Sequence, residues 1–342
     1  MRHRLEKYGF GEVYVGHDTQ LDRQVTIKVM RGESAQAPGA VQESLREAQK
    51  LARLRHPGIA TVHDVGVHEG QVYIVSDYLD GIDLGRWLRE NRPSWREAAR
   101  MVAAVADALA HAHERFIIHR GVTPDNIILT AERMPVLVDF RLTPAEDEAD
   151  EKKGSVSTMP WYISPEQALS AEHRIDGRTD VYSLGVVLYE LLTGRVPFRS
   201  TQLPELLRQI CEDEPQPPRQ LVPEIPPDLG RACLKALAKQ QQDRYATAAD
   251  FGEELKRVLE IQPISAVLRQ TATEYPVHPR ESTRPSSGPE TTTSVSVKRA
   301  REAERRQLTV LVCGCDVFDS EAYLELDAED QTRVLRAFQE TC

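Results

Sequence analysis

The sequence predicts an α+β chain. A small antiparallel sheet with one helix comes first, a mainly helical part second, and a short β-α piece follows a break in composition. Three observations predict it. β-Favouring residues crowd the first thirty positions, where Val13, Tyr14 and Val15 are followed by Val25, Ile27 and Val29. From Asp83 onward apolar residues fall at helical spacing, and the run from Val181 to Leu192 is apolar on most sides, as in a buried helix. Between residues 262 and 300, Pro, Ser, Thr, Arg and Glu dominate, a composition that reads as a disordered linker because it cannot bury a core.

Length and composition bound the function classes. The chain has 342 residues, enough for two ordinary domains, and its 40% apolar fraction can build their cores. A formal charge of −10 argues against nucleic acid as a general partner. The five cysteines, at 211, 233, 313, 315 and 342, are few and odd in number. They fit a reducing, cytoplasmic setting better than a disulfide framework. Cys313-Gly314-Cys315 has no second Cys or His cluster nearby, so it does not read as a metal site. No apolar run approaches the ~20 residues of a membrane span, and no signal peptide opens the chain.

The elements can be justified in order. Residues 5–30 read as strands, with Gly9 and Gly11 in a turn between two of them. Leu45, Ala48, Leu51 and Ala52 give Val41–Leu54 a helical stripe, and His56-Pro57-Gly58 stops it. Val72–Tyr78 is a strand, and Asp80-Gly81 a turn. Ser94-Trp95-Arg96-Glu97 is a capping box opening a helix whose stripe is Met101, Val105, Ala108, Leu109 and Ala112. His111 and His113 sit two apart, so they do not share a helix face as metal ligands would. Gly194 and Pro197 end the buried helix, and Thr247-Ala248-Ala249-Asp250 starts the helix that ends near Leu259.

The chemistry is concentrated in a few motifs. His119-Arg120-Gly121-Val122-Thr123-Pro124-Asp125-Asn126 precedes the apolar run Ile127-Ile128-Leu129, and Val138-Asp139-Phe140-Arg141 follows. Val25-Thr26-Ile27-Lys28, Ser164-Pro165-Glu166 and Asp176–Gly185 complete the set. Together these resemble the protein kinase domain of the bacterial, eukaryote-like Ser/Thr type. The resemblance implies a two-lobed fold: a β-sheet lobe at 1–79 with its first strand cut short, and a helical lobe at 80–261.

The resemblance also implies roles. Lys28 would hold the α/β-phosphates of ATP and pair with Glu47, 19 residues on. Asn126 and Asp139 would bind Mg²⁺. Gly9, Gly11, Val13, Thr26 and Ile128 would line the nucleotide, Ser76 would gate the pocket behind the adenine, and Asp77 and Leu79 would offer it backbone groups. Asp180 would cap its helix or brace the catalytic loop, and Arg244 would pair with Glu166. Ser155, Ser157 and Thr158 lie in the stretch where an activation segment would fall.

The departures from the family pattern are as informative. Glu6 and Tyr8 stand where the first two glycines of the glycine-rich loop belong. Gly121 replaces the base aspartate, Thr123 the lysine near the γ-phosphate, and Arg141 the glycine after Asp139-Phe140. Glycine has no side chain to accept a proton. Three readings follow: a regulatory module binding ATP and Mg²⁺ weakly with impaired transfer, an active Ser/Thr kinase of reduced rate, or a nucleotide-free scaffold. Protein substrates and partners cannot be read from the residues.

After the linker at 262–303, residues 304–342 resemble the start of a class III nucleotide cyclase domain. Its first strand would be Arg305–Cys313, with a helix at Asp327–Thr341. The family's metal-binding aspartate falls on Gly314, and Asp316 lies two residues on. The chain therefore reads as a fragment of a longer protein, or one with a misplaced start codon.

Overall fold

The structure is a computed structural model that describes residues 3–8, 11–30, 40–68, 71–141, 159–171 and 174–260. The chain divides into two compact units, 1–270 and 271–342, and every described residue belongs to the first. The linker at 262–303, the cyclase-like piece, Gly9 and the hydroxyls at 155, 157 and 158 lie outside the described residues.

The N-terminal lobe is a five-stranded antiparallel sheet. Its strands are β1 (His3–Tyr8), β2 (Gly11–Asp18), β3 (Arg23–Met30), β4 (Val62–His68) and β5 (Gln71–Asp77), in the order β1-β2-β3-β5-β4. β1 is six residues long. The register sets Val13 opposite Lys28, and Lys28 opposite Ile74. Helix α1 (Ala40–Leu51) buries Ala48 and Leu51 in a cluster with Val62, Val72 and Ile74. Side chains at i and i+3 share a helix face, which is why these two go inward together.

The C-terminal lobe begins with β6 (Gly81–Asp83) and α2 (Leu84–Glu90), capped by the Asp83 side chain. Helix α3 (Trp95–His113) opens with the expected capping box, Ser94 and Glu97 each satisfying the other's backbone N–H. β7 (Ile127–Thr130) pairs with β6 on one side and β8 (Pro135–Leu137) on the other in a three-stranded antiparallel sheet. The two lobes are joined beside it: the Ala60 N–H donates to Leu137 O at 2.9 Å, and the Leu137 N–H to Gly58 O at 2.8 Å.

The short helix α4 (Pro165–Ala168) leads to α5 (Gly177–Thr193), which is buried all round, as its apolar composition requires. Gly185 admits a neighbour: a Cβ there would stand 2.8 Å from Ala236 Cβ. Gly194 ends α5 in the left-handed region at φ 74°, a conformation open to glycine without strain. Helices α6 (Leu203–Glu212), α7 (Pro218–Leu221), α8 (Pro227–Ala236) and α9 (Ala248–Glu260) complete the lobe, with α9 packed on α3 and α8. Among the described residues, no helix is long and apolar enough to cross a membrane.

The frame of this lobe is pinned by a buried ion pair. Arg244 donates to both Glu166 oxygens, Nη1 to Oε1 and Nη2 to Oε2, each at 2.8 Å. Thr179 Oγ1 adds a third bond to Oε1 at 2.7 Å. Burial would raise the Glu166 carboxyl's pKa, but Arg244 and Thr179 hold it below its usual value. The remaining Arg244 donors reach the carbonyls of Arg178, Ala238 and Lys239, so its charge is buried fully hydrogen-bonded.

Candidate active site

Between the lobes lies a cleft of about 320 Å³. Val13, Thr26 and Lys28 form its roof, Ser76, Asp77 and Leu79 its hinge side, and Asn126, Ile128 and Asp139 its floor. Nine of the site residues marked from sequence thus meet on one cavity: Val13, Thr26, Lys28, Ser76, Asp77, Leu79, Asn126, Ile128 and Asp139. Gly11 opens β2. Asp77 donates its backbone N–H to Thr61 O at 3.0 Å, and its side chain accepts from the Thr61 N–H and faces the His63 ring. Its carbonyl is the group it could turn to an adenine.

The expected pair of Lys28 with Glu47 is corrected. The Glu47 carboxylate is joined to Lys50, one helical turn along α1, at 2.5 Å, and its side chain is 36% exposed. Lys28 is paired with Asp139. The reason lies in the face that α1 presents. Ala48 and Leu51 take the core side, and Glu47, partly exposed at the edge of that face, meets the Lys50 cation at i+3. Burial would raise the Asp139 carboxyl's pKa, but Lys28 beside it wins and holds the group ionised below the usual carboxylate range.

The loop at 119–126 is held by buried polar groups. Asp180, fully buried, accepts the backbone N–H groups of His119 and Arg120, both at 2.8 Å, and faces His113 Nε2 at 2.7 Å. Of the two roles expected for Asp180, bracing is the one it performs; Asp176 caps the helix by accepting from the Arg178 N–H. His119 is also buried. Its Nδ1 accepts the Gly121 N–H at 3.2 Å, so the Nε2–H donates to Val138 O at 3.0 Å. Its ring packs on Phe140 with centroids 4.4 Å apart. Arg120 and Asp139 both have positive φ, at 61° and 63°. Such backbone strain persists where the surroundings enforce it.

Asn126 donates its side-chain N–H to Gly121 O at 2.8 Å. That fixes the amide and leaves Oδ1 as its acceptor. With the ionised Asp139, it offers two oxygen donors in one cleft. Such a pair suits Mg²⁺, which binds through one or two protein oxygens and keeps waters and substrate phosphates for the rest. Among the described residues, no cluster of three or more His, Cys, Asp or Glu side chains could hold a metal without such help.

Gly121 and Arg141, apart in sequence, meet in space. A Cβ on Gly121 would stand 3.1 Å from Arg141 Nε and 3.5 Å from its Cδ. The Arg141 stem therefore lies over the position where the family's base side chain begins. The Arg141 backbone N–H reaches His119 O at 3.3 Å, tying this segment to the loop.

The sequence reading missed the apolar back wall of the cleft, formed by Leu51, Leu54, Ile59, Val62, Ile74 and Phe140, and the cation Arg86 at its mouth. Helical and strand periodicity mark most of these as inward-facing. Periodicity does not say that inward means toward a cleft.

Comparison with known proteins agrees with this architecture. The protein kinase domain family matches residues 5–254, most of the chain, so the chain belongs to the protein kinase family. Within it, the chain is similar to bacterial serine/threonine kinases. It is 38% identical over 265 residues to serine/threonine-protein kinase PknB of Mycobacterium leprae, covering 75% of this chain and 42% of that protein. It is 33% identical over 250 residues to serine/threonine-protein kinase PrkC of Bacillus subtilis, covering 72% and 38%. The chain thus spans about two fifths of these relatives. Among solved structures, the kinase domain of Mycobacterium tuberculosis PknI superposes with a TM-score of 0.61 at 29% identity, covering 76% of this chain and 94% of that one.

Proposed function

We propose that this domain is a kinase-fold signalling module that binds Mg²⁺–ATP weakly and transfers phosphate poorly. One observation carries the reading: Lys28, Asn126 and Asp139 converge on the cleft while Gly121, in the base position, is overlain by Arg141. Phosphoryl transfer depends on positioning and charge stabilisation. The nucleotide half of that apparatus has its parts. The acceptor half has no carboxylate at 121 and no cation at 123. Loss of a general base alone is worth ~10²–10⁴ in rate.

On this reading, Lys28 holds phosphate oxygens, Asn126 Oδ1 and Asp139 hold Mg²⁺, and the Asp77 carbonyl and Leu79 backbone meet the adenine. Bound Mg²⁺ would supply charge neutralisation across the phosphates. The module would act through protein partners, with the cyclase-like region beyond residue 303 as its output.

A second reading, an active serine/threonine kinase of reduced rate, is favoured by Asp125, a carboxylate that lines the same cleft. Two measurements separate them. Ligand that binds only the folded state raises the melting temperature, so Mg²⁺–ATP gives a thermal shift that Lys28→Ala abolishes. Radiolabelled phosphate transfer to a basic protein substrate is negligible under the first reading. Strong transfer that disappears in Asp139→Ala establishes the second. No shift at millimolar ATP removes both and leaves a nucleotide-free scaffold.

A further inference from the structure

We propose that His63 is a positioning residue for base recognition: through the Asp77 side chain it fixes the Asp77 carbonyl at the cleft, where that carbonyl reads the 6-amino group of an adenine. The inference rests on the nucleotide-binding reading above and adds to it what sets base specificity.

A break in the sheet register carries it. β4 pairs with β5 in step from Asp64 to His68, and Val62 stands opposite Ser76. Between Val62 and Asp64 the register shifts, so His63 is the extra residue of a β-bulge. A bulge re-aims the side chain it carries, and bulges recur beside active sites. Here the imidazole reaches Asp77, the last residue of β5, with Nε2 2.7 Å from Oδ1. So short a contact with a carboxylate oxygen makes the Nε2–H the donor. Thr61, two residues before His63, holds the rest of Asp77. Its N–H donates to Oδ2 at 2.9 Å, and its carbonyl accepts the Asp77 N–H at 3.0 Å.

Asp77 is therefore tied to one neighbouring segment by both carboxylate oxygens and its backbone N–H. That fixes its α-carbon and narrows the swing of the carbonyl that follows. Asp77 itself lines the cleft, so His63 acts on the site through it. Arg23 braces the ring from β3, with Nη1 3.1 Å from the same Nε2, and Asp18 on β2 lies 3.5 Å from Arg23 Nε. The chain Asp18–Arg23–His63–Asp77 thus runs across four strands to the hinge. Burial would raise the Asp77 carboxyl's pKa, but the Thr61 N–H and the His63 contact hold it below its usual value. The acceptor that His63 needs is thereby kept ionised. An adenine supplies N–H at position 6 to a carbonyl so held. A base without that group leaves the carbonyl dry and unpaired, which costs affinity.

The test is equilibrium titration of the full chain, in Mg²⁺, with ATP and with purine riboside triphosphate, which lacks only the 6-amino group. Wild type is compared with His63→Leu, His63→Gln and Asp77→Ala. Wild type should bind ATP about fivefold more tightly than the analogue, on the order of one hydrogen bond. His63→Leu removes the donor and should bring that ratio below about twofold, by weakening ATP and not the analogue. Glutamine sets an amide N–H near the place of Nε2 and should keep most of the preference. Asp77→Ala keeps the carbonyl but removes the carboxylate that His63 holds. It should match His63→Leu, and it decides the matter if His63→Leu fails to fold. An unchanged ratio in either folded variant, or equal losses for the two nucleotides, overturns the proposal and leaves the nucleotide-binding reading standing. A wild type that binds both alike does the same. Binding of neither nucleotide by wild type overturns both.

Discussion

Arg141 lies across Gly121, its Nε 3.1 Å from where a Cβ would stand. The missing base and the added cation are therefore neighbours that must be changed together. An aspartate restored at 121 would meet the guanidinium and form an ion pair, and a paired carboxylate is a poor proton acceptor. Gly121→Asp alone should leave phosphate transfer near the wild-type level. Gly121→Asp with Thr123→Lys and Arg141→Gly should raise it at least about tenfold, the lower range expected for a restored general base. Radiolabel incorporation into a basic protein measures it, with Asp139→Ala in the triple background as the control. Activation by Gly121→Asp alone, equal to the triple variant, would show that Arg141 does not obstruct the acceptor side.

Glu47 is joined to Lys50 on α1, while Lys28 is joined to Asp139. Nucleotide bound in a cleft so arranged would not depend on Glu47. Glu47→Ala should change the ATP dissociation constant by less than about twofold, because a surface pair one turn apart on a helix contributes little. Lys28→Ala should abolish detectable binding at millimolar ATP. A loss in Glu47→Ala comparable to that in Lys28→Ala would mean that α1 swings inward when nucleotide binds.

The Arg244–Glu166 pair is buried at both ends, with side-chain exposures of 0% and 4%. Removing one partner leaves the other charged and dry. Arg244→Ala should therefore lower folding stability by about 3–5 kcal/mol. Urea unfolding followed by circular dichroism checks it. A loss under about 1 kcal/mol, the range of an exposed pair, would remove this pair from the account of how the helical lobe is held.

Much of this was legible in the sequence because the relevant signals are local. The Ser94–Glu97 capping box, the Gly194 stop and the all-round apolar face of Val181–Leu192 each need only a short window of residues. The Arg244–Glu166 pair spans 78 residues and was legible only through the family pattern. Two contacts were not legible at all. Which way Glu47 faces depends on the roll of α1 against the sheet, and a stripe fixes that only to within a residue or so. That Arg141 covers Gly121 depends on how two loops close around His119, whose bonds to the Gly121 N–H and Val138 O clasp them together.

That clasp also makes folding sensitive to mild acid. His119 is buried, and burial holds its pKa below the ordinary 6.5. A depressed folded-state value means that the unfolded chain takes up the proton first as pH falls. The stability contributed by neutral His119 is thus fully present above about pH 6.5 and is lost as pH drops toward the folded-state value. Asp139, Asp180 and Glu166 are also depressed, from ordinary values of 3.8, 3.8 and 4.5. Burial opposes that shift in all three, and Lys28, His113 and Arg244 respectively override it. Their contributions are present above about pH 4.5 and fade below it. The melting temperature should therefore be level above about pH 6.5, decline through the range below it, and fall more steeply under about pH 4.5. His119→Phe keeps a ring against Phe140 and removes the titrating nitrogen. It should melt lower at neutral pH and show a shallower decline between pH 6.5 and 5. An unchanged slope in that variant would place the mild-acid sensitivity elsewhere in the chain.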